Sequence, residues 1–247
     1  GTHLMPTLPE SPAGGVRSEG PRAVAARILE RWLRTGDFPN RLLEGVTADR
    51  PFITEVVMGV ARWRRALDWI LERRVRHAPD PRIRAVLLAA AYELLFMDDT
   101  AVYAAVDGAV EAARQGAKDK RAGFVNAVLR GLVREKDAAL AALREQPPAV
   151  RWSHPDALMD RWQRRFAPAD LAALCEWDNS RPRVAVKINT LAVTRADLLA
   201  RWTEAGVTPD AWRAEEPDWL LLPRGRGMES LPGFAEGWFA ALDPSAR

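Results

Sequence analysis

The sequence predicts a multidomain protein, in which an all-α helical bundle is followed by a small α+β subdomain. Three observations predict this fold class. Apolar side chains recur three and four residues apart through residues 21–145, as on amphipathic helices. Pro147 and Pro148 interrupt helical continuity and stiffen the chain, which places a linker at residues 146–150. Residues 151–247 then mix helical patterns with two runs typical of β-strands.

The helices of the bundle are also predicted by the residues at their ends. Pro21 suits a first helical position, where its missing N–H costs nothing, and Gly36 suits the residue just past the helix end. Asp49, Asp80 and Thr100 are side chains of the type that cap a helix N-terminus. The short connections between these helices favour a compact bundle.

The second domain is predicted to contain a strand, a helix and a second strand. Apolar residues alternate over residues 184–189, as in a strand. Thr194 with Asp197 three residues later has the spacing of a capping box, which predicts a helix over residues 195–205. Residues 219–222 form the next strand-like run. Strand, helix and strand within so short a segment indicate an α+β unit.

Composition excludes several classes of site. Cys175 is the single cysteine, so the chain has no internal disulfide or Cys-rich zinc site, and a reducing, cytoplasmic location is expected. It is predicted to be a core residue. The three histidines are far apart, which predicts no metal site. No apolar run approaches the roughly 18 residues of a membrane span. The glycine-rich nucleotide loops and the serine-nucleophile elbow are absent from the sequence.

Residues 1–20 are expected to lie outside the fold. The four residues before Met5 are typical of the remnant of an expression tag, with Met5 as the native start. The stretch that follows is rich in Pro, Gly, Ser and Ala and lacks the apolar run of a signal peptide. We therefore expect a disordered arm ahead of the bundle.

Positive charge is concentrated in the bundle. Residues 21–145 contain 22 Lys and Arg against 17 Asp and Glu, whereas residues 151–247 contain 13 against 14. Nearly all of these cations are arginine, whose planar fork suits phosphate and stacks on bases. Nucleic-acid binding explains this bias, and so does a GC-rich genome that uses arginine for its surface cations.

One helix of the bundle concentrates this charge on one side. Arg62, Arg65, Arg73 and Arg76 are spaced three and four residues apart around Trp69, opposite an apolar stripe. Cations with an aromatic among them are expected of a surface that contacts phosphates and stacks on a base. The alternative is a solvated arginine face with Trp69 packed in the core.

Several motifs resemble a known family. The segment from Gly123 to Arg130, with Val125-Asn126-Ala127, resembles the signature of NusB-like helical domains. Further segments resemble the NusB-like domain and pre-catalytic subdomain of bacterial 16S ribosomal RNA (cytosine-C5) methyltransferases, the RsmB, Sun or Fmu family. These segments are residues 49–52, 59–63, 67–71 and 94–97 in the bundle, and 181–182, 187–190, 206–207 and 234–239 beyond it.

The resemblance implies an RNA-binding N-terminal region of a methyltransferase that uses S-adenosylmethionine. The family's cofactor site and two catalytic cysteines belong to a Rossmann-like domain, expected after Ser245, and their motifs are absent from these 247 residues. We therefore expect a truncated chain that lacks the Rossmann-like core, has no catalytic or cofactor-binding residue of its own and is inactive alone. The expected partners are 16S ribosomal RNA and the protein's own C-terminal methyltransferase domain.

The resemblance also bears on single residues. It implies that Asn126 lies at the centre of the bundle, where a buried amide must be hydrogen-bonded. Asp107-Gly108 stand where the family usually has Asn-Glu. Candidate RNA-binding residues are cations of the basic helix and of a following loop, with two residues near the first strand: Arg62, Arg65, Arg73, Arg76, Lys118, Lys120, Arg121, Lys187 and Asn189.

Two other functions fit the same sequence. The chain could be a stand-alone NusB-like adaptor that binds RNA together with a protein, although its second domain argues against this. The helical domain could instead serve mainly as a scaffold that docks on the catalytic domain, in which case the arginine stripe would be partly buried against protein.

Overall fold

The computed structural model describes residues 19–97, 100–114, 119–223 and 227–243. The chain forms two compact units, Gly1–Cys175 and Glu176–Arg247. The helices of the first unit are α1 (Pro21–Thr35), α2 (Pro39–Leu42), α3 (Arg50–Glu72), α4 (Pro81–Phe96), α5 (Val102–Arg114), α6 (Asp119–Arg134), α7 (Lys136–Arg144), α8 (Pro148–Arg151), α9 (Asp156–Gln163) and α10 (Pro168–Asn179), the last of which continues into the second unit.

Helix α4 lies at the centre of the first unit. Every residue from Ala85 to Leu95 is more than nine-tenths buried, on all sides of the helix. The alanines among them let α1, α3, α5 and α6 approach closely and pack around α4. A helix that is buried on every side must be the core of its domain. The sequence pattern had predicted one inward face, so the burial of α4 is wider than expected.

A charged pair lies inside this core. Glu93 on α4 is 1% exposed, and its carboxylate accepts hydrogen bonds from Arg22 Nε at 3.0 and 3.2 Å and from Arg22 Nη2 at 2.9 Å. The Arg22 guanidinium also lies over the ring of Phe52, 5.1 Å from its centroid. Burial raises the pKa of Glu93 above its ordinary value, and the hydrogen bonds and charge of Arg22 only partly oppose this. The pair therefore joins α1 to α4 with little freedom to rearrange.

The predicted helix caps differ in their outcome. Asp80 precedes α4 and accepts a hydrogen bond from the backbone N–H of Ile83 at 3.1 Å, which confirms it as a side-chain cap. Asp49 precedes α3 but has a left-handed φ of 52° and no capping hydrogen bond, so its predicted side-chain role is wrong. In the second unit, Thr194 accepts from the N–H of Asp197 at 3.1 Å, as predicted.

The second unit is built on a four-stranded antiparallel sheet. Its strands are β1 (Ala185–Ile188), β2 (Asp210–Ala211), β3 (Trp219–Leu221) and β4 (Phe239–Ala241), arranged in the order β2-β3-β1-β4. Helix α11 (Arg195–Glu204) follows β1, and Trp202 on it is fully buried with Val186 and Phe239 of the sheet. This arrangement confirms the predicted order of an all-α domain and an α+β unit. The short strands β2 and β4 were not predicted.

The chain divides later than the sequence predicts. Residues 148–151, within the predicted linker and just after it, form α8, and a small apolar cluster of Ala149, Met159, Leu171 and Cys175 joins α8, α9 and α10. The compact units accordingly separate within α10. Packing of this cluster keeps residues 148–175 with the helical unit.

The described residues offer neither a membrane span nor a metal cluster. None of their helices combines the length and apolar character needed to cross a bilayer. No three His, Cys, Asp or Glu side chains among them are grouped so that they could hold a metal ion. Cys175 is completely buried, with its Sγ 4.0 Å from the Met159 Sδ, which confirms it as a core residue.

Candidate nucleic-acid interface

The predicted arginine stripe is only partly helical. Helix α3 ends at Glu72, so Arg73 is its C-terminal cap and Arg76 lies beyond it. Trp63, directly after Arg62, has non-helical backbone angles (φ −99°, ψ 16°), which bend α3 at that point. The prediction of one continuous helical stripe is therefore wrong, because the helix bends near its first cation and stops before its last two.

Arg65 is held by the protein itself. Its Nη1 donates to the His154 carbonyl at 3.0 Å and its Nη2 to Asp156 Oδ1 at 2.8 Å. Its backbone N–H also donates to Ser153 Oγ at 2.8 Å. These bonds fix the segment between α8 and α9 onto the bend of α3. They give Arg65 a structural role, as in the scaffold interpretation of the stripe.

The surroundings of the other three arginines, Arg62, Arg73 and Arg76, differ from those of Arg65. Within the described ranges, none of the three forms a hydrogen bond or an ion pair through its side chain. The Arg73 guanidinium lies 4.8 Å from the ring centroid of Trp69. Trp69 is half-buried and packs on the core with part of its ring, as in the core alternative, and its role as an aromatic platform stays a prediction.

The three cations predicted to lie in a loop after α5 have different surroundings, and the loop prediction is wrong for Lys120 and Arg121, which lie in the first turn of α6. Lys118 lies outside the described residues. Lys120 is exposed in the first turn of α6. Arg121 is also exposed, but its Nη1 lies 3.5 Å from Asp80 Oδ2. Of the two described cations, Lys120 is thus the one whose charge is not matched by a carboxylate.

In the second unit, Lys187 and Asn189 also differ in how far the protein itself occupies their polar groups. Lys187 is exposed on β1, and its Nζ lies 5.6 Å from the ring centroid of Trp219 on β3. Asn189 donates through Nδ2 to the Gly237 carbonyl at 3.0 Å and accepts at Oδ1 from the backbone N–H of Leu191 at 3.3 Å. Both polar groups of Asn189 are therefore used in the turn after β1, whereas Lys187 is available to a ligand.

Asn126 is not at the centre of the bundle. Its side chain is half-buried on α6, and its Oδ1 accepts from Arg130 Nε at 2.9 Å. Helix α6 buries Val125, Leu129 and Leu132 instead, so Asn126 points into a groove beside α5. The prediction of a buried, backbone-satisfied amide is wrong. Sequence reasoning also missed this groove, for which the sequence signal is the small pair Ala122-Gly123.

Comparisons with known proteins agree with this two-part organisation. Residues 19–134 match the NusB family, and residues 154–222 match the Methyltr_RsmF/B-like, ferredoxin-like domain. These two matches, one after the other along the chain, confirm the predicted resemblance. The predicted linker lies between the two matches, although residues 154–175 pack with the first unit.

The curated relatives that the chain matches include ribosomal RNA methyltransferases. The chain is 31% identical over 239 residues to ribosomal RNA small subunit methyltransferase B of Pseudomonas putida, covering 92% of this chain and 53% of the relative. It is 31% identical over 206 residues to the probable ribosomal RNA small subunit methyltransferase B of Synechocystis, covering 81% and 46%. The chain thus spans about half the length of the curated relatives it matches.

A solved structure, that of PH0851, has a similar fold. It is 15% identical in sequence, with a TM-score of 0.56, and the match covers 90% of this chain and 53% of that one. At this identity the likeness concerns the fold alone. It extends over both units, which the two family matches describe separately.

Proposed function

We propose that this chain is the RNA-binding region of a 16S ribosomal RNA (cytosine-C5) methyltransferase that uses S-adenosylmethionine. Its helical unit, Gly1–Cys175, binds RNA phosphates, and its α+β unit, Glu176–Arg247, helps to position the RNA for methylation. The two family matches and the relatives named methyltransferase B support this assignment. The proposal requires neither a catalytic residue nor a cofactor site in the two described units.

The observation that carries the proposal is the set of arginines without a carboxylate partner around α3. Four other arginines near α3 and α4 lie against acids: Arg22 against Glu93, Arg74 against Glu135, and Arg64 and Arg84 both against Asp68. Arg62, Arg73 and Arg76 have no such partner among the described residues. Cations that folding has not neutralised are available to an external anion.

The chemistry of these side chains fits RNA phosphates. An arginine presents a planar fork that binds two phosphate oxygens at once. Arg73 also has Trp69 beneath it, so a base that displaced the guanidinium would meet an aromatic face. Contacts of this kind set affinity and register rather than sequence choice. We assign Lys120 and Lys187 to the same role, and we give Arg65, Arg121 and Asn189 structural roles instead.

The salt dependence of RNA binding tests the proposal. We would measure the affinity of the chain for a single-stranded 16S ribosomal RNA fragment over a range of salt concentrations. Each phosphate contact contributes about −0.7 to the slope of log affinity against log salt. The double substitution Arg73→Gln and Arg76→Gln should therefore reduce that slope by about 1.4.

A matched control lies on α9. Arg161 and Arg164 are exposed, have the same spacing of three residues and also lie at the end of a helix. The pair Arg161→Gln and Arg164→Gln removes equal charge and should leave the slope nearly unchanged. Equal effects of the two double variants would mean that binding depends only on the net charge of the chain. A flat salt response of the original chain would reject phosphate binding altogether.

A further inference from the structure

A groove runs between α5 and α6 on the surface of the helical unit. Its volume is about 940 Å³. Its apolar lining comes from both helices: Val102, Val106 and Val110 from α5, and Ala122 and Val133 from α6. Nothing in the RNA-binding proposal uses this groove. Its lining combines these apolar residues with arginines, and the apolar part contributes nothing to binding a phosphate backbone, which needs hydrogen-bond donors.

A glycine, Gly123, lines the groove. A Cβ placed on it would meet no atom within 4 Å. Glycine inside a helix costs about 0.5–1 kcal/mol relative to alanine, and no neighbouring atom excludes a larger side chain at this position. The position is therefore suited to a substitution that fills the groove.

The rim exposes apolar surface. The Tyr103 side chain on α5 is 76% exposed and Val102 is 49% exposed. Exposed single apolar residues are common, but here they border a concave apolar surface. A partner that covers Tyr103 and enters the groove would remove this surface from water, at a gain of roughly 25 cal/mol for each Å² buried.

The charge of the groove is positive. Arg114, Arg130 and Arg134 line it, against the single acid Asp107. Arg130 is bonded to the neutral amide of Asn126, so its charge is not compensated there. The charge of Arg114 is partly matched by Glu111, whose Oε2 lies 3.6 Å from the Arg114 Nη1 in an exposed pair. Arg134 has no ion pair with any residue that the structure describes.

We propose that the α5–α6 groove is a docking site for an acidic amphipathic helix of a protein partner. Such a helix places apolar side chains three and four residues apart in a groove and leaves its charged face toward the rim. Its carboxylates would meet the three arginines. Helix α5 has 13 residues and is about 20 Å long, which matches three to four turns of a docked helix.

The test uses two synthetic peptides of about 14 residues with the same leucine face. One peptide carries glutamate and the other lysine on its polar face, and fluorescence anisotropy measures the binding of each to the chain. The acidic peptide should bind at least about tenfold more tightly, because only it complements the arginines. Equal affinity of the two peptides would overturn the proposal.

Two substitutions on one helix locate the binding. Gly123→Gln places a long side chain in the groove, whereas Ala127→Gln places the same side chain at an exposed position of α6 that does not line the groove. Gly123→Gln should weaken the binding of the acidic peptide by at least about tenfold, and Ala127→Gln by less than about twofold. Glutamine is a good helix former, so circular dichroism should show an intact fold for both variants.

A second variant and a competitor make the result unambiguous. Tyr103→Ala alters only an exposed side chain at the rim of the groove. It should lower the affinity of the chain for the acidic peptide severalfold without affecting folding. Single-stranded RNA added as a competitor should leave peptide binding unchanged if the groove is a protein site. Displacement of the peptide by RNA, together with loss of RNA binding in Gly123→Gln, would assign the groove to nucleic acid and reject the protein partner.

Discussion

Removal of Arg22 should reveal how costly the buried carboxylate of Glu93 is. In Arg22→Ala, Glu93 keeps its position on the buried helix α4 but loses the donors that now hold it at 2.9–3.2 Å. Taking one partner from a buried ion pair commonly costs about 3–5 kcal/mol. Glu93 can limit this cost only by taking up a proton.

The free-energy cost of protonating Glu93 determines how much stability the variant loses and how that loss depends on pH. Relative to an ordinary pKa of 4.5 in the unfolded chain, protonation costs about 3.4 kcal/mol at pH 7 and about 0.7 kcal/mol at pH 5. The lost hydrogen bonds and the contact with Phe52 add about 1 kcal/mol. We expect the variant to lose about 4 kcal/mol at pH 7 and less than half of that at pH 5.

The sign follows from proton binding. Burial raises the pKa of Glu93 in the folded protein, so between the ordinary and the raised value the folded protein holds a proton that the unfolded chain releases. The free energy of unfolding therefore falls as pH rises through this interval. Without Arg22 the pKa rises further, so the interval extends upward and the fall continues toward neutral pH.

Urea unfolding followed by far-UV circular dichroism at pH 5, 6 and 7 measures these free energies. Arg27→Ala is the control, since Arg27 lies on the same helix in a solvent-exposed pair with Glu19 and should cost less than about 1 kcal/mol at any of these pH values. Adding Glu93→Gln to Arg22→Ala should remove the pH dependence. A loss that is small at pH 7, or equal at pH 5 and pH 7, would refute the reasoning.

Three further substitutions test the packing. Gly59→Ala would place a Cβ 2.0 Å from Cζ of the buried Tyr92, so urea unfolding should show a loss of about 1–3 kcal/mol; no loss would mean that the ring can move. Asp68→Ala leaves two half-buried arginines, one being Arg84, without their acceptor. A loss of less than about 1 kcal/mol in the free energy of unfolding would contradict a structural role for the Asp68 carboxylate. Trp202→Phe removes the indole N–H that donates a hydrogen bond of 2.9 Å in the second unit. The melting temperature of the second unit should fall by several degrees, while the helical unit serves as the internal reference.

The order of the domains was predictable because it depends on local patterns. Helical periodicity, Asp80 as a cap and the capping box at Thr194 are all encoded within a few residues. The strands β2 and β4 have only two and three residues and exist because they pair with β3 and β1. Such pairing is non-local, so no sequence window contains its signal.

The candidate site was less predictable, because a cation's availability depends on distant residues. Arg62 and Arg65 are alike in sequence, yet the carbonyl of His154 and the carboxylate of Asp156 bind Arg65 alone. Both acceptors lie about 90 residues away in the chain. Spacing along the sequence cannot distinguish a cation that binds the protein itself, such as Arg65, from one that has no polar partner among the described residues, such as Arg62.

The departure from the family pattern at Asp107-Gly108 has a structural reason. A Cβ at Gly108 would lie 2.4 Å from Cδ of Arg22, the side chain that crosses α5 to reach Glu93. The glutamate that the family pattern has at this position would therefore collide with the arginine along its path to the core. Gly108 and Arg22 are therefore coupled in this chain, since a side chain at position 108 would require the Arg22 side chain to shift along its path to Glu93.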